Sequence, residues 1–382
     1  MKKILYLHAG AELYGADIVL LELLKNLDKD KFEPYVVLPC NGPLVDKFRE
    51  NGICVKVIDY PILRRKYFNP IGILNYIKDY FKYSKKINNI VKETGIDIIH
   101  TNTAAVLEGI YIKIKSKKPL VWHIHEIIVN PKFMHKILSF LIAKNADEVI
   151  TVSKAVKKHI EDTGYFKKEV KVIYNGINND IFNTKNKTDY IREEFNIPET
   201  AEIVGMIGRI NAWKGQKDFL QAMEVVLDKN SNVYAMLVGG VFDGEEWRID
   251  EIKDIIHKMK HKDRVIFSDY RMDTKNIYCL YDILVLPSIN PDPLPTVVLE
   301  AMGSGKPIVG YRHGGICEMV KENYNGLLVA PRDTNDLAKN IDYLLKNYEI
   351  RKMMSINSRK RQEEMFSIKS YIESFSKLYN EL

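Results

Sequence analysis

Short apolar runs alternate with longer segments of helical periodicity from one end of the chain to the other, and this pattern restricts the possible folds most. In the first half the runs are ILYLHAG, PYVVLP, VKVID, DIIHT, LVWHIH, VITVS and VKVIYN; in the second they are IVGMIGR, YAMLVGG, VIFSD, ILVLPS, PIVGY and GLLVAP. Near-continuous stretches of Val, Ile and Leu suit strands buried on both faces of a parallel sheet. Between them lie segments such as DFLQAMEVVL, where Phe219, Met223 and Val226 recur at helical spacing. Alternation of this kind predicts an α/β protein whose parallel sheets are flanked by helices.

A chain of 382 residues exceeds what one hydrophobic core usually supports, so two domains are expected. The polar stretch NTKNKTDYIREEFNIPET separates the two series of runs. It sets the expected division into a Rossmann-like domain over 1–183, a second over 196–360, and a C-terminal helix over 361–382 that packs back on the first. Two doubly wound domains are expected to face each other across a cleft, with ligands outside the carboxyl ends of the strands.

Composition narrows the classes of function. Apolar residues make up 46% and charged residues 28%, the balance of a soluble globular protein. Cys40, Cys54, Cys279 and Cys317 are scattered and form no C-x-x-C pair, which predicts a reducing compartment and no zinc site. No apolar run approaches the roughly 20 residues that span a bilayer, and ILYLHAG is too short for a secretion signal. The expected location is therefore the cytoplasm. The net charge of +7 is uneven: residues 1–190 hold 31 Lys and Arg against 21 Asp and Glu, and the remainder is slightly acidic.

The second half carries the chemistry. Strand IVGMIG leads into Arg209, and Lys214 follows five residues later near the start of the next helix. Two cations beside a helix N-terminus at the carboxyl edge of a sheet make a diphosphate site; Arg supplies a planar fork and Lys a mobile point charge. The competing interpretation is two charged residues on an exposed loop. Three strands later, ILVLPS runs into the loop NPDPLP and then into TVVLEAM. Thr296 is expected to be the N-cap of that helix, after Pro295. Asp292 falls in the loop and Glu300, separated from it by seven residues, just over one turn into the helix. Both carboxylates can accept hydrogen bonds from hydroxyls, and a sugar nucleotide has hydroxyls at both ends and a diphosphate between them. Taken singly, Asp292 fits a turn residue and Glu300 a carboxylate near a helix dipole. Their occurrence with Arg209 and Lys214 in strand–loop–helix units favours a ligand site.

At these residues the chain resembles the retaining glycosyltransferases of family 4, which have the GT-B fold. GADIVLLELL, WHIHE, ADEVITVSKAV, VIYNGI, MIGRINAWKG, YDILVLPS and LEAMGSGKPIVG carry the likeness over nearly the whole sequence. The family's Glu–seven residues–Glu element corresponds to Asp292 and Glu300, with the first Glu replaced by Asp. The resemblance implies that Asp292 contacts the donor sugar, that Glu300 contacts the ribose and that Arg209 and Lys214 bind the donor diphosphate. It implies further that Leu294 and Thr296 lie in the donor site and that His125 contacts the transferred sugar at the reaction centre. Arg271 would meet the base through its backbone, and Gly15 belongs to the glycine loop after the first strand, where Tyr14 stands in place of a first glycine. Pro295 replaces a frequent glycine and offers no N–H.

His123 and His125 point to one side of a strand, but no third ligand follows at a zinc spacing, so no metal or other cofactor is expected. GSGKP lacks the spacing and the Ser or Thr of a P-loop, and no G-x-S-x-G or G-x-G-x-x-G occurs. Residues 62–92 interleave aromatic and aliphatic side chains with eight cations and one acid, Asp79. This suits anionic lipid headgroups or a lipid-linked glycan acceptor, or equally a helix with one core face and one solvated lysine face. No nucleic-acid motif accompanies the charge. The expected function is transfer of a sugar from a UDP- or GDP-sugar, bound by the domain over 196–360, to a polysaccharide or lipid-linked acceptor, bound by the domain over 1–183, in surface-glycan synthesis at the inner face of the cytoplasmic membrane. A nucleotide-sugar epimerase and a non-catalytic scaffold are the alternatives.

Overall fold

The thirteen apolar runs become thirteen strands. The computed structural model describes residues 1–382. The first seven strands are β1 (Lys2–Leu7), β2 (Phe32–Leu38), β3 (Cys54–Val57), β4 (Ile98–Thr101), β5 (Leu120–Ile124), β6 (Glu148–Thr151) and β7 (Val170–Val172). They form one parallel sheet in the order β3-β2-β1-β4-β5-β6-β7. The remaining six are β8 (Glu202–Ile207), β9 (Val233–Val238), β10 (Val265–Ser268), β11 (Ile283–Leu286), β12 (Ile308–Tyr311) and β13 (Gly326–Val329). These form a second parallel sheet in the order β10-β9-β8-β11-β12-β13. Both orders are doubly wound: the strand order reverses between β1 and β4 in one sheet and between β8 and β11 in the other. At such a switch point the connections leave in opposite directions and the carboxyl edge of the sheet opens.

The chain divides into Met1–Gly176 with Ile368–Leu382, and Ile177–Ser367. The exchange points differ from 183 and 361 for identifiable reasons. Residues 177–183 are held in the second unit: Ile177 N–H donates to Phe366 O at 3.1 Å, and the Phe182 ring lies 6.0 Å from that of Tyr278. Residue 361 still lies within the helix Tyr348–Met365. Arg359 donates to the carbonyls of Phe182 and Gly303, and Arg361 to those of Glu318 and Met319, each at 2.8 Å. Those bonds fix the helix to the second unit as far as its last turn.

In the first unit the final helix Ile368–Glu381 buries Tyr371, Phe375, Leu378 and Tyr379. This stripe, at spacings of three and four, joins the core of Ile4, Tyr6, Leu20, Leu24, Phe32 and Phe48. Phe375 rests on the rings of His100 and His123, 5.7 and 5.1 Å away between centroids. The second core gathers Val204, Met206, Phe219, Met223, Val285 and Ile341. Phe375→Ala removes a fully buried ring, and a loss of about 3–5 kcal/mol of unfolding free energy is expected; urea denaturation followed by circular dichroism measures it.

Candidate active site

In the second unit the switch point places two loops side by side. The loop after β8 contains Arg209 and Lys214; the loop after β11 contains Ser288 and Asp292. Gly215 lets the first loop nest on the second: its φ is +85°, and a Cβ there would lie 1.8 Å from Pro287 O. Ile289 N–H also donates to Trp213 O at 2.6 Å. Asn211 Oδ1 accepts from the N–H groups of Trp213 and Lys214, at 3.0 and 2.9 Å, an Asx turn that aims Lys214 across to the neighbouring loop.

There Lys214 Nζ donates to Asp292 Oδ1 at 2.8 Å and to Oδ2 at 3.0 Å, and Ser288 Oγ donates to Oδ2 at 2.6 Å. Asp292 is only 5% exposed. Its main chain is pinned as well, because Gly315 N–H donates to Asp292 O at 2.7 Å. Gly314, at φ +69°, comes so close that a Cβ would sit 2.4 Å from that oxygen. The carboxylate expected to reach for a ligand from the mouth of a loop is thus a fixed, buried partner of the lysine.

Arg209 packs its guanidinium over Phe242, 3.9 Å from the ring centroid. Its carbonyl accepts from Gln216 Nε2 at 3.0 Å, at the start of the helix Gln216–Lys229. Leu294 is buried. Thr296 is the first residue of the helix Thr296–Gly303 and not its cap; Pro295 occupies the cap position and has no side-chain donor or acceptor. Proline's fixed φ favours entry into the helix and moves the start one residue earlier than a threonine cap requires. Glu300 is half-buried in that helix, and burial raises its pKa to about 7, tempered by the Tyr278 hydroxyl. Arg271 has ion pairs of its own. Its guanidinium holds Glu194 at 2.6 and 3.0 Å and Asp273 at 2.9 and 2.8 Å, and this pairing lowers Asp273 to about 2.

In the first unit the corresponding switch point, between β1 and β4, carries a buried polar chain. Gly15 opens the helix Gly15–Asn26, with Tyr14 at the cap. Asp17 Oδ2 accepts from Tyr14 N–H at 2.9 Å, and Oδ1 meets His8 Nε2 at 2.7 Å. Asn102 Nδ2 donates to His8 Nδ1 at 3.1 Å, which leaves the proton of a neutral His8 ring on Nε2, facing Asp17. Asn102 Oδ1 in turn lies 3.1 Å from both His123 Nδ1 and His125 Nε2. His125 is thereby tied through Asn102 and His8 to Asp17, at the same helix N-terminus as Gly15. Glu126, next in sequence, accepts from Thr103 Oγ1 and, at 3.1 Å each, from the N–H groups of Ala104 and His125.

His8, Asp17, Asn102, Asn211, Ser288 and the Gly314–Gly315 pair were not singled out by sequence. Their one common signal is that each lies at or just beyond the carboxyl end of an apolar run, apart from Asp17, which is already within a helix.

Burial lowers the pKa values of His100 and His125 to about 3. The folded rings stay neutral where unfolded histidines, near 6.5, take up protons. Their contribution to stability is complete above about pH 6.5 and is lost as pH falls toward 3, at about 1.4 kcal/mol per pH unit for each ring. His100→Phe is expected to flatten the acid limb of the stability curve by that slope, as read from urea midpoints between pH 6.5 and 4. Asp292→Ala strands Lys214 in a half-buried position, and a loss of about 3 kcal/mol is expected. Asp292→Asn, which keeps an acceptor, should lose less in the same assay.

Two family models match the chain in tandem: Glycosyltransferase Family 4 over residues 14–181 and Glycosyl transferases group 1 over residues 187–361. Among curated relatives, a Campylobacter jejuni N,N'-diacetylbacillosaminyl-diphospho-undecaprenol alpha-1,3-N-acetylgalactosaminyltransferase is 27% identical over 92% of this chain and 91% of its own. An Escherichia coli UDP-Gal:alpha-D-GlcNAc-diphosphoundecaprenol alpha-1,3-galactosyltransferase is 25% identical over 99% of this chain and 96% of its own. Among solved structures, Anabaena Alr3699/HepE in complex with UDP and glucose aligns over all of both chains with a TM-score of 0.87 and 25% identity. With two doubly wound parallel sheets and two family models in tandem, the chain belongs to the group 1, family 4 glycosyltransferases of GT-B fold.

Proposed function

We propose that this glycosyltransferase moves a sugar, with retention of anomeric configuration, from a UDP- or GDP-sugar to a lipid-linked or polysaccharide acceptor in surface-glycan synthesis at the cytoplasmic face of the membrane. The observation that carries the donor assignment is the Lys214–Asp292–Ser288 cluster at the β8/β11 switch point, in whose first loop Arg209 also lies. The solved relative with UDP and glucose supports a nucleotide-sugar donor. The two diphospho-undecaprenol relatives support a lipid-linked acceptor.

Lys214 has three N–H donors, of which two go to Asp292. The third, on an ammonium that also lies 4.6 Å from the Trp213 ring centroid, turns to a diphosphate oxygen, and Arg209 in the same loop supplies the second cation. Asp292 accepts two bonds from Lys214 and one from Ser288, which leaves about one of its four lone-pair sites for a sugar hydroxyl. Glu300 takes the ribose, the backbone at Arg271 the base, and Leu294 and Thr296 line the donor site. Gly15 and its loop, with His125, serve the transferred sugar.

In the transfer, the acceptor oxygen bonds to the anomeric carbon on the face from which the diphosphate departs. The bond from anomeric carbon to phosphate oxygen breaks, and the hydroxyl proton passes to the departing diphosphate. Arg209 and Lys214 stabilise the negative charge that develops there.

A thermal-shift screen against UDP-, GDP-, ADP- and dTDP-sugars in EDTA is expected to single out one donor; at about a hundred times its dissociation constant it stabilises by roughly 2.7 kcal/mol. Lys214→Ala should then lower kcat by about a hundredfold or more. The anomeric proton coupling of the product should match that of the donor; an inverted product overturns the proposed stereochemistry.

A further inference from the structure

Within the first unit an open apolar cavity of about 360 Å³ lies between residues 63–68 and the helix Lys132–Asn145. That is the small end of the range for ligand pockets. Leu63, Phe68, Ala105, Ile128, Met134 and Leu138 supply its apolar walls, and the exposed Arg64 and Arg65 stand at its edge. Glu126 also lines it, but that carboxylate is already engaged by Thr103, Ala104 and His125. The position therefore joins the residue next to His125 to a greasy, cationic exterior.

Two helices of this unit expose apolar side chains: the one that follows residues 63–68 in the chain and the one that lines the cavity. The long helix Pro70–Thr94 buries Ile87, Ile90 and Val91 in its last turns, yet its first turns expose Ile71 by 72% and Leu74 by 68%, followed by Ile77 and Phe81. The spacings of three, three and four make one stripe along the helix. Across the cavity, the helix Lys132–Asn145 exposes Phe133, Ile137 and Phe140, again one stripe. It carries Lys132, Lys136 and Lys144 and no carboxylate. Phe68, a wall of the cavity, lies 6.2 Å from the Phe133 ring, so cavity and stripe are continuous. Exposed apolar stripes edged with lysines are the surface expected of a protein that meets anionic lipid.

We propose that this slot binds the acceptor: the first isoprene units of a lipid lie among Leu63, Phe68, Ala105 and Met134, and its diphosphate lies on Arg64 and Arg65. The proposal rests on the lipid-linked acceptor proposed above and assigns it a place. Apolar walls next to two guanidiniums match an isoprenoid diphosphate, which has a branched hydrocarbon chain joined directly to a doubly charged group. Neither a free sugar nor a nucleotide has that combination. The exposed stripes then lie at the bilayer from which the lipid comes.

The test uses the full chain and farnesyl diphosphate, a monomeric probe, with inorganic diphosphate, farnesol and UDP as competitors. Farnesyl diphosphate is expected to bind more tightly than diphosphate or farnesol. Arg64→Ala with Arg65→Ala should weaken it by at least about tenfold, through loss of two charge-assisted partners. Ala105→Trp, which fills the slot and leaves both arginines, should weaken it comparably. The thermal shift given by the nucleotide sugar should be unchanged in both variants, which also shows that they fold. Wild-type binding of farnesyl diphosphate in either variant overturns the proposal, as does equal binding of inorganic diphosphate or displacement by UDP. If no nucleotide sugar stabilises the protein but the probe behaves as stated, the donor assignment fails and the slot stands. The reverse pattern removes the slot and leaves the donor site.

Discussion

Both units depend on one constraint of parallel sheets, the divergence of connections at a switch point. Parallel strands need crossovers that cover the faces of the sheet, so the carboxyl edge stays open only where adjacent crossovers run to opposite sides. In the second unit that place lies between β8 and β11, in the first between β1 and β4. The Lys214–Asp292 pair and the Asp17–His8–Asn102 chain are both found there. Strand residues at such an edge have apolar neighbours on either side, and the side chains just beyond it become polar without leaving the protein.

Burying those groups has a cost that each site offsets differently. In the second unit a lysine and an aspartate neutralise one another, and Ser288 supplies a further donor, so that neither charge lacks a partner. In the first unit histidines stay neutral because burial disfavours their charged form, and Asn102 can serve several of them because an amide both donates and accepts. The two solutions leave different chemistry: a fixed positive group in one unit, and neutral rings of set orientation in the other. Glu300 is a third case, a carboxylate brought to about 7 by burial beside Tyr278.

The fold was legible because apolar runs in parallel sheets need no alternation to be recognised; their length and their Val, Ile and Leu content identify them. Of the site, Arg209 and Lys214 were legible as cations at a strand end, and Asp292 and Glu300 as carboxylates one loop and one helical turn beyond another strand. Asn102, Ser288 and Asn211 were not, since a single polar residue after a strand has the same local appearance whether it caps a turn or holds a buried polar group in place. Gly314 and Gly315 were hidden for a related reason. Their need to be glycine comes from the backbone of Asp292 and Pro293 packed against them, more than twenty positions away in sequence.

Period and composition are properties of neighbouring residues, and so the sequence by itself determined the thirteen strands, the α/β class and the separation into two units. Partnership is a property of space. Tertiary structure alone decided that Asp292 belongs to Lys214, that Thr296 follows its cap and does not form it, and that Arg271 is held between Glu194 and Asp273. It also decided that helix Pro70–Thr94 buries Tyr76, Ile87, Ile90 and Val91 and leaves Ile71, Leu74, Ile77 and Phe81 exposed. A helix with apolar residues on two faces does not state in its own sequence which face the core will take; the surrounding helices and strands make that choice by occupying one of them.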